Sequence, residues 1–233
     1  MIPKILFLIP ARKGSKGLPK KNIKPFGDAT LIERAINQAK SCAKENDVIC
    51  LSTNDEVAIE IVEKMGIDVP FKRPEELASD NSSMEEVIRH ALQFYAHLGK
   101  NFDCVVLLQP TSPLRNINDI KAVINRFDGN QEMIVTVNES KENPYFNLFE
   151  ETISGKLIKS KSGYYKTRQE VPRCFALNGA VYLISRATLD QKAMKDITCL
   201  EKIEMPVERS IDIDTKFDWD LALYYLEKFY ENN

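Results

Sequence analysis

The sequence predicts an α/β fold built on a mostly parallel, doubly wound sheet. The continuous apolar run Ile5–Ile9 reads as a buried parallel strand, and Val48–Leu51, Cys104–Leu108 and Met133–Val137 read as further strands. Between them lie segments whose apolar residues recur at helical spacing. Strand and helix alternate over the first 137 residues, which calls for right-handed βαβ units and a sheet covered on both sides.

Each element has its own signal. Leu31–Lys44 carries Leu31, Ile32, Ala35, Ile36 and Ala39 as one helical stripe. The Val48–Leu51 strand is closed by Ser52-Thr53-Asn54-Asp55, and the helix Val57–Met65 is ended by Gly66. Ile67–Phe71 reads as a short extended segment. Met84–Leu98 places Val87, Ile88, Ala91, Leu92 and Tyr95 on one side of a helix, and Ile117–Phe127 is a further helix. From Asn138 to Leu177 the periodicity fails. Aromatics there, among them Tyr145, Phe146, Phe149, Tyr164 and Tyr165, argue against disorder and for an arm that packs on a second subunit. Val181–Ile184 resumes a strand, and Phe217–Phe229 is a closing helix. The expectation is one domain over 1–233 with an arm at 138–177.

Composition excludes several classes of function. A formal net charge of −2 gives no chain-wide attraction to nucleic acid or anionic membrane. No apolar run approaches the roughly 20 residues that span a bilayer. The apolar stretch near the start is too short for a signal-peptide core, so a cytoplasmic protein is expected. The five cysteines are scattered without a C-x-x-C pair, which points to reduced, mostly buried thiols. His90 and His97 stand seven apart with no matching Cys or His set, which disfavours zinc. No Gly-x-Ser-x-Gly elbow is present, which disfavours a serine hydrolase.

Ligands of such sheets bind beyond the carboxyl ends of the strands, so the loops there matter most. The first, Arg12-Lys13-Gly14-Ser15-Lys16-Gly17-Leu18-Pro19-Lys20-Lys21-Asn22, directly follows the first strand. Arg12 to Lys24 holds six cations and no acid. Its glycines let backbone N–H groups approach a phosphate, and its cations neutralise phosphate oxygens. It is neither a Walker A loop nor a G-x-G-x-x-G fingerprint, so kinase and dehydrogenase readings lose their support. The second loop, Gln109-Pro110-Thr111-Ser112-Pro113-Leu114-Arg115, fixes polar groups at the ligand edge with two prolines. The third, Ser210-Ile211-Asp212-Ile213-Asp214-Thr215, puts Asp212 and Asp214 on one face of an extended segment. Two converging carboxylates suit a hard cation such as Mg²⁺; the lesser alternative is that Asp214 or Thr215 caps the next helix. The fourth runs from Arg73 to Ser83. Ser83 forms a capping box with Glu86, whereas Arg73 has no local structural role.

Together these segments resemble the acylneuraminate cytidylyltransferases, the CMP-sialic acid synthetase family. The markers are A-R-K-G-S-K-G-L-P-K-K-N at 11–22, R-P-E-E-L-A-S-D at 73–80, L-L-Q-P-T-S-P-L-R at 107–115, N-G-A-V-Y at 178–182 and S-I-D-I-D-T at 210–215. The resemblance implies a nucleotide-diphospho-sugar transferase fold and a homodimer with exchanged arms. It implies attack by a sugar's anomeric hydroxyl on the α-phosphorus of CTP, expelling pyrophosphate. Arg12, Lys21 and Asp212 would be catalytic. Arg12, Ser15, Lys16, Lys21, Asn22, Arg73, Ser82 and Ser83 would bind the nucleotide. Gln109, Arg168, Asn178 and Tyr182 would face the sugar, and Asp212 and Asp214 would hold Mg²⁺. Met84, Phe146 and Ala176-Leu177 depart from the family pattern, which leaves the exact acidic nine-carbon sugar open between N-acetylneuraminate and a legionaminate type. The apolar Phe146 leans toward the latter. CMP-Kdo and CMP-pseudaminate synthesis are the enzyme alternatives, and a non-catalytic nucleotide-binding protein is the alternative of another class.

Overall fold

Alternate side chains of β1 (Ile5–Pro10) enter two different cores. Ile5, Phe7 and Ile9 face one cluster, and Leu6 and Leu8 face the other. The period of two along a strand produces this split once both faces are covered. β5 (Cys104–Leu108) divides the same way, with Cys104, Val106 and Leu108 on the first face and Val105 and Leu107 on the second. The computed structural model describes residues 2–14 and 17–231.

After β1 a small hairpin, β2 (Pro25–Phe26) and β3 (Ala29–Thr30), leads into α1 (Leu31–Lys40). β4 (Val48–Ser52), α2 (Glu56–Lys64) and α3 (Met84–His97) precede β5. α4 (Ile117–Arg126) and β6 (Met133–Glu139) follow it. A second hairpin, β7 (Phe149–Glu151) and β8 (Leu157–Lys159), stands apart from the sheet. β9 (Phe175–Ser185), α5 (Arg186–Gln191), β10 (Glu201–Glu204) and α6 (Lys216–Glu231) complete the order. Side chains set the helix starts. Thr30 with Glu33, Ser83 with Glu86, and Asn116 with Asp119 form capping boxes, and Asp55 caps α2. Each such cap contributes about 1 kcal/mol.

The six-stranded sheet has the order β10-β6-β9-β5-β1-β4. β1 pairs in parallel with β4 and β5, and β10 pairs in parallel with β6. β9 is the exception, antiparallel to both β5 and β6. The expected mostly parallel α/β sheet is therefore present, and its antiparallel strand is longer than the Val181–Ile184 run that announced it. Two other expectations shift. α1 stops at Lys40 rather than Lys44, where Cys42 and Ala43 donate to the Ala39 carbonyl and tighten the chain into a turn. The irregular segment is shorter than 138–177, because Asn138 pairs with Ala176 and Glu139 with Phe175 inside the sheet.

A third cluster lies beneath α6. Leu18, Leu114 and Ile213 come from three different loops and pack with Phe26, Leu31, Trp219, Ala222 and Leu226. Phe26 meets Trp219 edge to face at 5.2 Å between ring centroids. All five cysteines are free. Cys50 and Cys104 are buried, and burial pushes both thiols up to about 12. Cys42 and Cys174 are only half-buried and Cys199 is exposed, so the thiols are less buried than expected. No helix among the described residues is long and apolar enough to cross a membrane.

Candidate active site

A cleft of about 490 Å³ opens at the carboxyl ends of β1 and β5. Arg12, Gly14, Gly17, Lys21 and Asn22 form the wall that follows β1. Gln109, Pro110 and Thr111 form the wall that follows β5. Asp212, Asp214 and Thr215 close it from the segment before α6, and Arg73 and Met84 complete the lining. Three segments far apart in sequence thus meet where an α/β sheet is built to receive a ligand.

The first loop is tied down at several points. Ala11 donates its N–H to the Ser52 carbonyl at 2.9 Å, and Lys13 donates to Asn54 Oδ1 at 2.8 Å. Arg12 Nη1 reaches Asp80 Oδ1 at 2.7 Å, joining the loop to the 73–83 segment. Lys20 sits in the left-handed region at φ 57°, immediately before the turn Lys21–Ile23. A non-glycine residue there costs on the order of 1 kcal/mol and persists where its surroundings hold it. Gly17 lies directly on the third segment: a Cβ placed on it would stand 2.0 Å from the Asp214 carbonyl oxygen. Only glycine lets the two backbones approach this closely.

Lys21 is almost fully buried. Its Nζ donates to the Ile213 carbonyl at 2.7 Å and to Asp214 Oδ1 at 2.8 Å. Asn22 donates its Nδ2 to the Arg12 carbonyl at 3.4 Å. Its buried Oδ1 has no hydrogen-bond partner among the described residues. The alternation expected for the third segment holds without a strand. Ile213 is buried, and Asp212 and Asp214 line the cleft. The Asp214 N–H and the Thr215 N–H and hydroxyl donate to Asp218 Oδ2 at the start of α6, and Thr215 Oγ1 accepts from the Asp218 N–H, so Thr215 supplies the side-chain cap. The Asp214 carboxylate is left to face Lys21.

Asp212 keeps one side open to the cleft, but the protein around it pushes its carboxyl up. A hydrogen bond from Thr111 works the other way, the nearby Asp214 carboxylate adds to the rise, and Lys21 opposes it. Two carboxylates that repel each other at one wall are what a divalent cation relieves. Mg²⁺ is characteristically held by one or two carboxylates together with substrate phosphates. The donor set therefore fits Mg²⁺ brought in with a nucleotide. It does not form a complete protein cage, since no three His, Cys, Asp or Glu side chains gather for one among the described residues.

A family model described as Cytidylyltransferase matches residues 6–233. The chain belongs to the cytidylyltransferase family. Among similar proteins, "Post-translational flagellin modification protein B" of Campylobacter coli is 35% identical over 226 residues, covering 96% of this chain and 95% of that one. A protein of Campylobacter jejuni named "CMP-N,N'-diacetyllegionaminic acid synthase" is 31% identical over 224 residues, covering 95% and 94%. A solved structure of CMP:2-keto-3-deoxy-manno-octonic acid synthetase complexed with CTP superimposes with a TM-score of 0.69 over 97% of this chain and 99% of that one. At 15% identity, that likeness speaks to the fold alone.

Within this cytidylyltransferase the expected site residues fall into two groups. Arg12, Lys21, Asn22, Arg73, Gln109, Asp212 and Asp214 all line the cleft. Ser15 and Lys16 lie outside the described residues. The remaining five stand elsewhere. Ser83 caps α3, its backbone N–H donates to Glu86 Oε2, and the Ser82 N–H donates to the Ser79 carbonyl, so their N–H groups are already engaged. Asn178 is buried. Its Oδ1 accepts from Thr136 at 2.7 Å, and its Nδ2 donates to Ser210 Oγ at 3.0 Å. It braces an irregularity in β9 that brings Gly179, at φ +74°, beside Asp212 and Gln109. Tyr182 packs into the second core, with its hydroxyl pushed up first by burial and then by Asp212. Arg168 is exposed in a turn of the irregular segment and donates to the Lys141 carbonyl at 2.8 Å. Arg73 reaches the cleft from a buried position. Its guanidinium holds Ser52 Oγ at 3.0 Å and the Ser52 carbonyl, and burial pushes it down to about 10. Residue-by-residue reading missed Thr111, whose one signal was its place between two prolines after a strand.

Proposed function

We propose that this cytidylyltransferase moves CMP from CTP onto the anomeric hydroxyl of a nonulosonic acid, an acidic nine-carbon 2-keto sugar. The hydroxyl oxygen bonds to the α-phosphorus, the bond to the β-phosphate bridging oxygen breaks, and pyrophosphate leaves with that electron pair as the hydroxyl proton is lost. The observation that carries this reading is the meeting of a cationic, glycine-bearing loop with Asp212 and Asp214 in one cleft. Phosphoryl transfer depends mainly on positioning and charge neutralisation. Arg12 and Lys21 supply positive charge to the triphosphate, and Asn22 Oδ1, without a partner among the described residues, can accept from a ligand hydroxyl or amine. A bound Mg²⁺ would add charge neutralisation at the phosphates, held by Asp212 and Asp214. Turnover of CTP fits an enzyme of the cytoplasm.

The names of its relatives and the apolar Phe146 favour a legionaminate-type sugar over N-acetylneuraminate. The test is pyrophosphate release from CTP and Mg²⁺ with a panel of N-acetylneuraminate, N,N'-diacetyllegionaminate, pseudaminate and Kdo. The expected order places the diacetylated legionaminate first by kcat/KM. An apolar pocket rejects an added hydroxyl by only about 100-fold, so N-acetylneuraminate should retain measurable turnover. Activity with Kdo alone would overturn the nonulosonate assignment, and no pyrophosphate with any sugar would overturn the reaction.

The β7–β8 hairpin supports a homodimer. A two-stranded hairpin is at best marginally stable alone, and this one exposes Phe149, Ile153, Leu157 and Ile158. We assign that surface to a second copy of the chain, with Arg168 delivered to the partner's sugar site. Asp212→Asn and Arg168→Ala subunits, each inactive alone, should then recover part of the wild-type rate when mixed. Subunit exchange confirmed by mass without recovery would refute a shared site.

A further inference from the structure

Arg115 is the largest fully buried side chain among the described residues. Its Nε donates to Gln38 Oε1 at 2.9 Å. Its Nη1 donates to two carbonyls, Gln109 at 2.6 Å and Ala180 at 2.8 Å. Gln38 answers by donating Nε2 to the Arg115 carbonyl at 2.6 Å. Nη2 is buried with no partner among the described residues, and no described carboxylate lies within ion-pair distance. Asp119, the nearest acidic neighbour on α4, is engaged by Arg209 at 2.8 and 3.1 Å. Burial pushes the guanidinium down to about 9, and only the longer-range charges of Asp119 and Asp212 offset this.

A buried guanidinium without an ion pair is expensive to keep. An apolar side chain would fill the same space at lower cost, so the reason for the arginine lies in what its fork holds. The two carbonyls belong to the end of β5, where Gln109 enters the cleft, and to the residue after Gly179. Gly179 is the glycine packed against Asp212 Oδ2 and Gln109 Nε2: an added Cβ would meet these atoms at 3.4 and 3.6 Å. One planar group therefore fixes, from below, the two backbone stretches that set Gln109 beside Asp212. The first loop, with Arg12 and Lys21, makes no described contact with this fork.

We infer that Arg115 is a positioning residue for Gln109, the cleft residue that the family resemblance turns toward the acidic sugar, acting by clamping the Gln109 and Ala180 carbonyls. This rests on the reading of the preceding subsection. The fork geometry matters as well as the charge, because a lysine ammonium cannot span both carbonyls and Gln38 in one plane.

The experiment is steady-state kinetics of wild type, Arg115→Lys and Arg115→Met with CTP and the best acidic sugar of the panel. Arg115→Met is expected to raise KM for the sugar on the order of 10- to 100-fold, the scale of losing hydrogen bonds to a charged group. KM for CTP should stay within about twofold. Arg115→Lys should fall between the two. Gln38→Leu, which removes the Nε partner and stands outside the cleft, should raise the sugar KM by a smaller factor, about threefold or more. It carries the test if the Arg115 variants do not fold. Loss of melting temperature with both KM values unchanged, or an equal rise in both, would overturn the assignment and leave Arg115 a general support of the fold. An unchanged sugar KM in a folded Gln38→Leu would do the same. A wild type that turns over no acidic sugar would overturn the underlying reading, and this inference with it.

Discussion

Lys21→Ala should lower the rate of CMP transfer by about 10²- to 10³-fold, the usual effect of removing one preorganised donor from a site where charge develops. The structure gives the residue a second task, since Nζ joins Ile213 and Asp214 to the first loop. The matched control is Lys24→Ala. Lys24 belongs to the same cationic run but lies over the Trp219 ring at 4.8 Å, outside the cleft lining. Its loss removes a cation–π contact of about 0.5–1 kcal/mol and should leave turnover within severalfold. Pyrophosphate release measured on both variants, with melting temperatures alongside, separates a placed donor from a diffuse cluster of charge. Equal loss in the two would refute the specific role of Lys21.

Asp212→Asn should be the most damaging conservative change, with turnover falling by on the order of 10³-fold while the fold persists. The substitution keeps the shape and the hydrogen bond with Thr111 but removes the charged oxygen that a hard cation requires. Asp214→Asn should cost less, because that carboxylate is more exposed and shares its charge with Lys21. Wild-type activity should vanish in EDTA and return on adding Mg²⁺. Full activity in EDTA would refute the metal assignment for both residues.

Much of this was legible in the sequence because it depended on short-range patterns. β1 and β5 announced themselves as apolar runs. The cleft's cationic wall showed as a run of lysines and glycines at a strand's end. Ile211 and Ile213 alternating with Asp212 and Asp214 predicted the carboxylate wall although no strand forms there. What stayed hidden depended on distant partners. An apolar run such as Val181–Ile184 does not reveal its direction, so antiparallel β9 could not be distinguished from another parallel strand. Asn178 looked like a polar group available to a ligand, yet Thr136 and Ser210, more than 30 positions away, already engage it. Arg115 reads as one more polar group at the ligand edge until Gln38 and Ala180 are folded around it. Ser83 shows the reverse case: its capping box was a local signal, and the cap forms as that signal predicts.

The small cluster under α6 has a consequence for the timing of the protein's synthesis. Leu18, Leu114 and Ile213 anchor the cleft's three walls, and they meet on Trp219, Ala222 and Leu226. A growing chain therefore carries its cationic loop early but lacks the cluster that anchors it until α6 has been made. At roughly 5–20 residues per second, about 10–40 seconds separate Leu18 from Trp219. For nearly all of that interval the nascent chain has the cations of the cleft without Asp212 and Asp214. An organised cleft is thus among the last features the chain acquires, and a chain truncated before α6 should lack it.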